Sequence, residues 1–213
     1  MALNHTARLR ASSEQRRQRL RSLQATHSRA PFVPFCALAL AALLPLAYPT
    51  PIRAQVSASV EYQVKAAFLL NFAKFIEWPA NAFESEKTPI TVCVFGYDPF
   101  GNALDELIKG KSINNRELLA RRVSHLPDLK TCELLFVSEK EEKRLPEILI
   151  GLRGTSTLVV GEGEDFAERG GGVQFILEAN RLRFAVNLDA IQRAHLTVSS
   201  KLLALAKIVH DRG

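Results

Sequence analysis

Two glycine-containing stretches have residue types that could perform chemistry, and the first resembles part of a phosphate loop. Lys109-Gly110-Lys111-Ser112 matches the end of the G-x-x-x-x-G-K-S/T pattern, whose backbone amides and lysine cradle phosphate groups. The pattern needs a glycine at position 105, where the chain has Asp105. A phosphate loop also precedes a helix. Gly110-Lys111-Ser112 instead follows a predicted helix. We therefore exclude a nucleotide site of this kind.

The second stretch is Gly161-Glu162-Gly163-Glu164-Asp165, which follows a predicted strand. Residues in this position of α/β proteins often line ligand sites. However, the third glycine of a dinucleotide-binding loop is missing, and three carboxylates would repel a phosphate. Glu164 and Asp165 at the start of a predicted helix are explained by a favourable interaction with the helix dipole. A structural role is the simpler interpretation.

Candidate bases, nucleophiles and metal ligands do not converge in the sequence. His125, His195 and His210 lack a partner histidine, cysteine or carboxylate at metal-ligand spacing. No serine lies in a G-x-S-x-G elbow, and neither cysteine after residue 54 has a neighbouring motif that would activate a thiol. We predict no catalytic residue, no metal and no cofactor, which favours a binding or regulatory protein over an enzyme.

The basic character of the chain is confined to its first part. The whole sequence has 28 Lys and Arg against 22 Asp and Glu, a net charge of +6. Residues 1–54 contain eight arginines and one glutamate, so the remainder has 20 basic and 21 acidic residues. Because this remainder has no basic excess, we predict that nucleic acid is not its partner.

Residues 1–54 have the organisation of a signal peptide followed by a linker. An Arg-rich region (1–29) precedes an apolar run (31–48) that two prolines interrupt and that is short for a membrane span. Cleavage after Ala54 or Ala58 would release the rest of the chain outside the cytoplasm. The alternative is an uncleaved inner-membrane signal anchor, which also places the rest of the chain outside the cytoplasm.

Cys93 and Cys132 are the cysteines that remain after the predicted leader. In an oxidising compartment, two cysteines indicate one disulfide. Such a bond would close a loop of about 40 residues and stabilise the fold by about 3–4 kcal/mol. At this point two buried free thiols are the alternative, and a disulfide could be either a static link or a redox switch.

A long helix is predicted over residues 56–78. Apolar side chains recur at spacings of three and four, whereas Lys65 and other charged residues fall mostly on the opposite side. Pro79 ends the helix. The apolar face is wide, and the charges argue against a bilayer. The recurring apolar residues are Val60, Val64, Ala67, Phe68, Phe72, Phe75 and Ile76.

Strands and helices alternate in the rest of the chain. The predicted strands cover 89–96, 117–125, 131–138 and 156–162, the helices 98–110, 139–154 and 164–172, with a hairpin at 173–188 and two helical pieces in 189–211. Such alternation indicates a mainly parallel sheet with helices on both faces. We predict one domain at 55–213, a three-layer α/β/α sandwich with the C-terminal hairpin as its antiparallel edge.

Two segments near the ends of this domain are distinctive: VKAAFLLNFAKFIEWP (64–79) and RLRFAVNLDAIQRAHLTVSSKLLALAKIV (181–209). Together they resemble the YfiR family of secreted regulators, over about residues 60–209. The resemblance implies a periplasmic, non-enzymatic homodimer that binds the periplasmic part of an inner-membrane diguanylate cyclase and inhibits it. The resemblance implies that inhibition of the cyclase lowers cyclic di-GMP and reduces biofilm growth. It also implies a disulfide between Cys93 and Cys132, although a second cysteine pair of some members is missing.

The resemblance suggests that the first helix contacts the partner. We predict Phe68, Phe72, Phe75 and Trp78 as partner-binding residues, because aromatic side chains are enriched in interface hot spots. The alternative is that this face belongs to the core and that Trp78 covers the sheet edge.

An alternative function is a periplasmic ligand-binding sensor module for another membrane receptor, such as a histidine kinase or a transporter. The neighbouring gene separates the two hypotheses. A membrane protein with a diguanylate cyclase output domain would favour the inhibitor, and a kinase or an outer-membrane receptor would favour the sensor.

Overall fold

The computed structural model describes residues 52–212, with side chains from Val60 onward. The predicted signal peptide and linker, residues 1–54, lie outside the described residues except for 52–54. No helix within 52–212 is both long enough and apolar enough to cross a bilayer.

Strands and helices alternate along the described chain, as the sequence predicts. The helices are α1 (Ile52–Phe75), α2 (Asn102–Ile108), α3 (Leu145–Gly151), α4 (Leu188–Arg193) and α5 (Ser200–Leu203). The strands are β1 (Ile76–Glu77), β2 (Ile90–Phe95), β3 (Ser112–Ile113), β4 (Arg116–Val123), β5 (Leu134–Val137), β6 (Leu158–Gly161), β7 (Val173–Glu178), β8 (Arg181–Asn187), β9 (Thr197–Val198) and β10 (Lys207–Val209). Short 3-10 segments cover Ala80–Ala82, Leu126–Thr131 and Glu139–Arg144.

Eight of the described strands form one sheet in the order β10-β8-β7-β6-β5-β2-β4-β3. Strands β4, β2, β5, β6 and β7 are parallel, β8 is antiparallel to β7, and β10 is parallel to β8. The short strands β1 and β9 form a separate antiparallel pair. From β2 the chain moves outward to β4 and then returns to β5 on the other side of β2.

Alternate side chains of the central strands enter two separate cores. On one face of the sheet, Val92 and Val94 of β2 belong to a core that includes α1 and α2. On the other face, Cys93 and Phe95 belong to a core that includes α3 and the 126–131 segment. All four side chains are fully buried. The predicted three-layer α/β/α sandwich with a mainly parallel sheet is therefore confirmed.

Helix α1 ends three residues earlier than predicted. The backbone oxygen of Phe75 accepts a hydrogen bond from the Ser199 amide at 3.0 Å, and Ile76 pairs with Val198 across β1 and β9. The C-terminal part of the chain thus engages the backbone at the end of the helix before Pro79 is reached.

The C-terminal segment also differs from the prediction. The second helical piece is only the single turn α5, which Ser199 caps by accepting a hydrogen bond from the Lys201 amide. Residues 207–209 instead form β10, with Ile208 beside Val186 of β8. A sheet edge offers unpaired backbone groups, and local helical periodicity does not register this competing partner. The predicted β7–β8 hairpin forms, but it is not the edge because β10 covers β8.

The segment between β6 and β7 forms turns rather than the helix predicted at 164–172. Asp165 has a φ of +54°, which interrupts helical geometry. The fully buried Phe166 ring lies against Gly161 and Gly171, where a Cβ atom would overlap the ring. These two glycines make room for Phe166 in the second core.

Candidate functional site

The buried side of α1 is rotated relative to the prediction. Leu69 and Phe72 are fully buried, whereas Val60 and Val64, expected on the inner face, are 52% and 41% exposed. Lys65, expected on the polar side, is only 5% exposed. The prediction was wrong for these three residues, because the side of the helix that packs inward is set by sheet side chains that lie far away in the sequence.

Phe72 lies in the core, whereas Phe68 and Phe75 are only partly covered. The Phe72 ring is fully buried, with its centre 5.7 Å from that of Phe175 and 5.2 Å from that of Phe184. Phe68 lies beside the same two rings at 6.0 and 5.8 Å but keeps some exposed surface. In this structure the core covers Phe72, so it has no free surface for a partner.

Trp78 is half-buried in the loop after β1. Its indole Nε1–H donates a hydrogen bond to the backbone oxygen of Glu133 at 3.3 Å, and its ring lies edge-on to Phe83 at 6.5 Å. The Arg116 guanidinium lies 3.7 Å from the centre of the Phe83 ring. These side chains line a cavity of about 260 Å³ and orient the exposed part of Trp78.

A buried charged cluster connects α1 to the end of β6. Lys65 Nζ lies 2.5 Å from Glu162 Oε2 and 2.6 Å from Glu61 Oε1. The Tyr62 hydroxyl donates to Glu162 Oε1 at 3.0 Å, and the Glu139 amide donates to the same oxygen at 3.2 Å. The Lys65 and Glu162 side chains are only 6% and 7% exposed, so water screens their attraction weakly.

The same cluster determines the protonation state of Tyr62. Burial, with the carboxylate of Glu162 beside it, raises the pKa of Tyr62 above its ordinary value. The hydroxyl therefore stays protonated as a donor. The Lys65 ammonium lies 4.4 Å from the centre of the Tyr62 ring, a cation–π contact.

The cluster lies at the carboxyl end of β6, where parallel sheets commonly place ligand sites. A cavity of about 330 Å³ opens beside it, lined also by Phe175, Leu177 and Leu182. The polar side chains of the cluster can hold charge and fix α1 on the sheet. None of them forms a nucleophile and base pair of the kind that covalent catalysis requires.

Sequence reasoning found only one side of this cluster. Glu162 belongs to the Gly161–Asp165 stretch that was singled out, but Lys65 lies 97 residues earlier. The signal in the sequence that could have identified Lys65 was its spacing from Leu69. Lys65 precedes Leu69, which is buried, by four residues and therefore lies on the same side of the helix.

Cys93 and Cys132 form a disulfide. Their Cα atoms are 5.8 Å apart, and the residues are 0% and 3% exposed. Cys93 lies in β2, and Cys132 follows the 3-10 segment that leads into the adjacent strand β5. The bond therefore ties two neighbouring parallel strands together inside the second core.

The other sequence candidates have structural explanations. Gly110, with a φ of +67°, follows α2, and Lys111 leads into β3, so the phosphate-loop fragment ends a helix. His210 Nδ1 lies 3.0 Å from the Asp189 carboxylate at the surface. In the part of the chain that the structure describes, no three His, Cys, Asp or Glu side chains are grouped so as to hold a metal ion.

A family model described as YfiR/HmsC-like (DUF4154) matches residues 62–207. The chain belongs to the YfiR/HmsC-like family. The match extends from Tyr62 in the charged cluster to Lys207 in β10, and it includes Cys93 and Cys132. This YfiR/HmsC-like membership supports a regulatory protein rather than an enzyme.

Two of the solved structures that match this YfiR/HmsC-like chain share low sequence identity with it. A conserved domain protein from Vibrio cholerae O1 biovar eltor is 12% identical, with a TM-score of 0.41 over 55% of this chain and 54% of that one. An ABC domain from Streptococcus pneumoniae in complex with L-Trp is 9% identical, with a TM-score of 0.41 over 56% of this chain and 55% of that one. The chain thus spans about half the length of the solved structures that it matches.

Proposed function

We propose that this chain is a periplasmic regulator that binds the periplasmic part of an inner-membrane diguanylate cyclase and inhibits it. The observation that carries the proposal is the YfiR/HmsC-like match over residues 62–207. Inhibition lowers cyclic di-GMP and, with it, biofilm growth. The predicted signal peptide in residues 1–54 would deliver the domain to the periplasm.

Inhibition of this kind needs binding energy and no chemistry. A regulator that binds the inactive state of the cyclase more tightly than the active state shifts the population toward the inactive one. Moving that equilibrium from about 1:99 to about 99:1 requires a difference in affinity of about 10⁴-fold between the two states.

The surface that we assign to the partner runs along the open side of α1. Val60 and Val64 expose apolar side chains one turn apart, and the partly exposed Phe68 follows one turn later. Phe75 and Trp78 continue this surface toward β1 and also keep some exposure. Apolar and aromatic groups held by a packed helix are typical of interface centres. We refer to these five residues as the α1 surface.

We also propose that the protein is a homodimer, as the family resemblance implies. Light scattering coupled to size-exclusion chromatography would measure the mass in solution. A mass equal to that of one mature chain across the micromolar range would reject the dimer without affecting the inhibitor proposal.

The experiment that tests the function is a measurement of cellular cyclic di-GMP. Deleting the gene should raise cyclic di-GMP, and restoring the secreted form should return it to the starting level. A copy without residues 1–54 is the matched control and should not restore it. Unchanged cyclic di-GMP after deletion, under several growth conditions, would reject the inhibitor.

A ligand-sensing module for another membrane receptor is the second candidate. The observation that favours it is a cavity of about 530 Å³ beside α3, a volume typical of small-molecule sites. Co-purification of the secreted protein with a membrane histidine kinase or a transporter, rather than a cyclase, would support this function.

A further inference from the structure

The large cavity is a cleft between α3 and α4 on the open side of β6. Strand β6 pairs with β5 along its whole length but with β7 only at Val160 and Gly161. Strand β7 therefore does not extend beside Leu158 and Val159, and these two residues contribute to the cleft wall. Beyond Val160, the Gly172 amide still donates to the Val159 oxygen at 2.9 Å, and Gly172 also lines the cleft.

The walls of the cleft are mainly apolar. Burying the hydrocarbon part of a ligand against such walls removes apolar surface from water and so favours binding. Ile150 is 59% exposed and lies at the mouth. The main apolar side chains of the two walls are Leu149, Ile150 and Leu152, and Ile191, Ala194 and Leu196.

Two glycines leave room for the side chains and backbone that form the cleft walls. A Cβ atom at Gly172 would lie 3.1 Å from the backbone oxygen of Val159 and 3.2 Å from the Leu158 side chain. Gly170 has a φ of +102°, and a Cβ atom there would lie 2.9 Å from Leu149. A larger residue at either position would push the apolar lining aside.

The charged side chains that line the cleft are all arginines, namely Arg153, Arg169 and Arg193. Arg169 pairs with Glu142, and Arg193 pairs with Asp211. Among residues 60–212, Arg153 makes no ion pair with a carboxylate. The lining thus combines an uncompensated guanidinium with apolar walls and contains no carboxylate, which is complementary to an anion with an apolar body.

We propose that the cleft binds an apolar monocarboxylate, that is, a carboxylate attached to an alkyl chain or an aryl group. The Arg153 guanidinium can donate two parallel hydrogen bonds to the carboxylate. The apolar body lies between the walls formed by α3 and α4. This site goes beyond the inhibition of a cyclase and does not depend on it, because binding is a property of the purified protein alone.

Calorimetric titration of the purified secreted protein with decanoate tests the proposal. Decylammonium and decanol, which share the alkyl chain but differ in charge, are the matched probes, all used below micelle formation. We expect decanoate to bind, decanol to bind more weakly and decylammonium to show no heat of binding. Equal binding of decanoate and decylammonium, or no binding of decanoate, would overturn the proposal.

Variants of the protein locate the binding site. Arg153→Gln should weaken decanoate binding about tenfold, the value expected for losing a charge-assisted hydrogen bond. Arg183→Gln removes the same charge from the exposed surface of β8 and should leave binding unchanged. Ala194→Trp should abolish binding by filling the space between the walls. If Arg153→Gln and Arg183→Gln weaken decanoate binding equally, only the overall charge of the protein matters, and the proposed site is rejected.

A further variant covers the case in which Ala194→Trp does not fold. Ile150→Glu places a carboxylate at the exposed mouth and needs no repacking, so we expect it to fold, weaken decanoate and permit decylammonium to bind. An unchanged preference for decanoate would place the ligand elsewhere and reject the cleft. Decanoate binding together with unchanged cyclic di-GMP after gene deletion would reject the proposed function and leave this site intact.

Discussion

The Lys65–Glu162 pair is the contact at which a single substitution has the clearest expected cost. Replacing Lys65 with methionine leaves the 7% exposed Glu162 carboxylate without its ammonium. Leaving one charge of a buried pair uncompensated costs about 3–5 kcal/mol. We expect Lys65→Met to lower the free energy of unfolding by about this amount in urea denaturation.

Two companion variants separate the ion pair from general effects on α1. Lys74→Met changes the same residue type at an exposed position of the helix and should change stability by less than about 0.5 kcal/mol. The double variant Lys65→Met/Glu162→Gln removes both charges and should recover most of the loss. Equal destabilisation by the single and double variants would mean that packing, not charge, explains the effect.

Glu133 makes the stability of the protein depend on pH. Burial raises the pKa of the Glu133 carboxyl, which accepts a hydrogen bond from the Thr91 amide at 2.7 Å. A pKa that is higher in the folded state than in the unfolded state means that stability is lost as the pH rises through the folded-state value. Ionisation of Glu133 therefore opposes folding.

Glu133→Gln should remove this dependence while its side-chain oxygen still accepts from Thr91. We expect the melting temperature of the variant to rise relative to the natural protein as the pH increases from about 4 to about 7. Glu106→Gln, at an exposed position of α2, is the control without such a trend. A difference between Glu133→Gln and the natural protein that is independent of pH would contradict this explanation.

At the scale of the element, α1 has separate faces for stability and for the proposed partner. Phe72→Ala should reduce stability by about 3–5 kcal/mol, because it leaves a cavity beside Phe175 and Phe184.

Val64→Glu should leave the urea midpoint nearly unchanged, since Val64 is 41% exposed, but should raise cellular cyclic di-GMP. Asn71→Glu adds the same charge at another exposed position of α1. If Val64→Glu still restores normal cyclic di-GMP, the α1 surface is not the binding site.

The disulfide links two elements, and its expected effect is on the unfolded chain. Replacing Cys93 and Cys132 with alanine should lower the free energy of unfolding by about 3–4 kcal/mol, because the unfolded chain gains freedom in the loop between them. Alanine suits the site because both cysteines are buried. Thiol titration of the denatured, unreduced secreted form, which lacks Cys36 of the predicted signal peptide, should detect no free thiol. Two free thiols would contradict the bond.

For the molecule as a whole, the sequence alone was sufficient to predict those elements whose local signals agree with the final packing. The apolar runs at 89–96, 131–138 and 156–162 became central strands because strands buried on both faces read as continuous apolar segments. The rotation of α1 and the strand β10 could not be predicted in this way. Both depend on partners elsewhere in the chain, the sheet aromatics and Glu162 for α1 and the free edge of β8 for β10.

The same long-range pairing predicts how the chain tolerates shortening at its C-terminus. Ending the chain after Ala204 removes β10 and exposes the edge of β8, so we expect lower stability and self-association through that edge. Ending it after Asp211 removes Arg212 and its surface ion pairs and should cost less than about 1 kcal/mol. Urea denaturation and light scattering measure both effects. Similar behaviour of the two shortened chains would show that β10 adds little to the fold.

The contacts of α1 also determine when folding can finish. Phe72 packs on Phe184 of β8, and Ile76 pairs with Val198 of β9, so α1 rests partly on strands that emerge late from the ribosome. Long-range contacts of this kind form late, because the intervening chain must first be closed into a loop. A chain that ends before β8 therefore lacks part of the surface on which α1 packs. If the chain is secreted as we propose, the late completion of α1 packing delays full folding until β8 and β9 have been made and keeps the chain longer in a form that can be translocated.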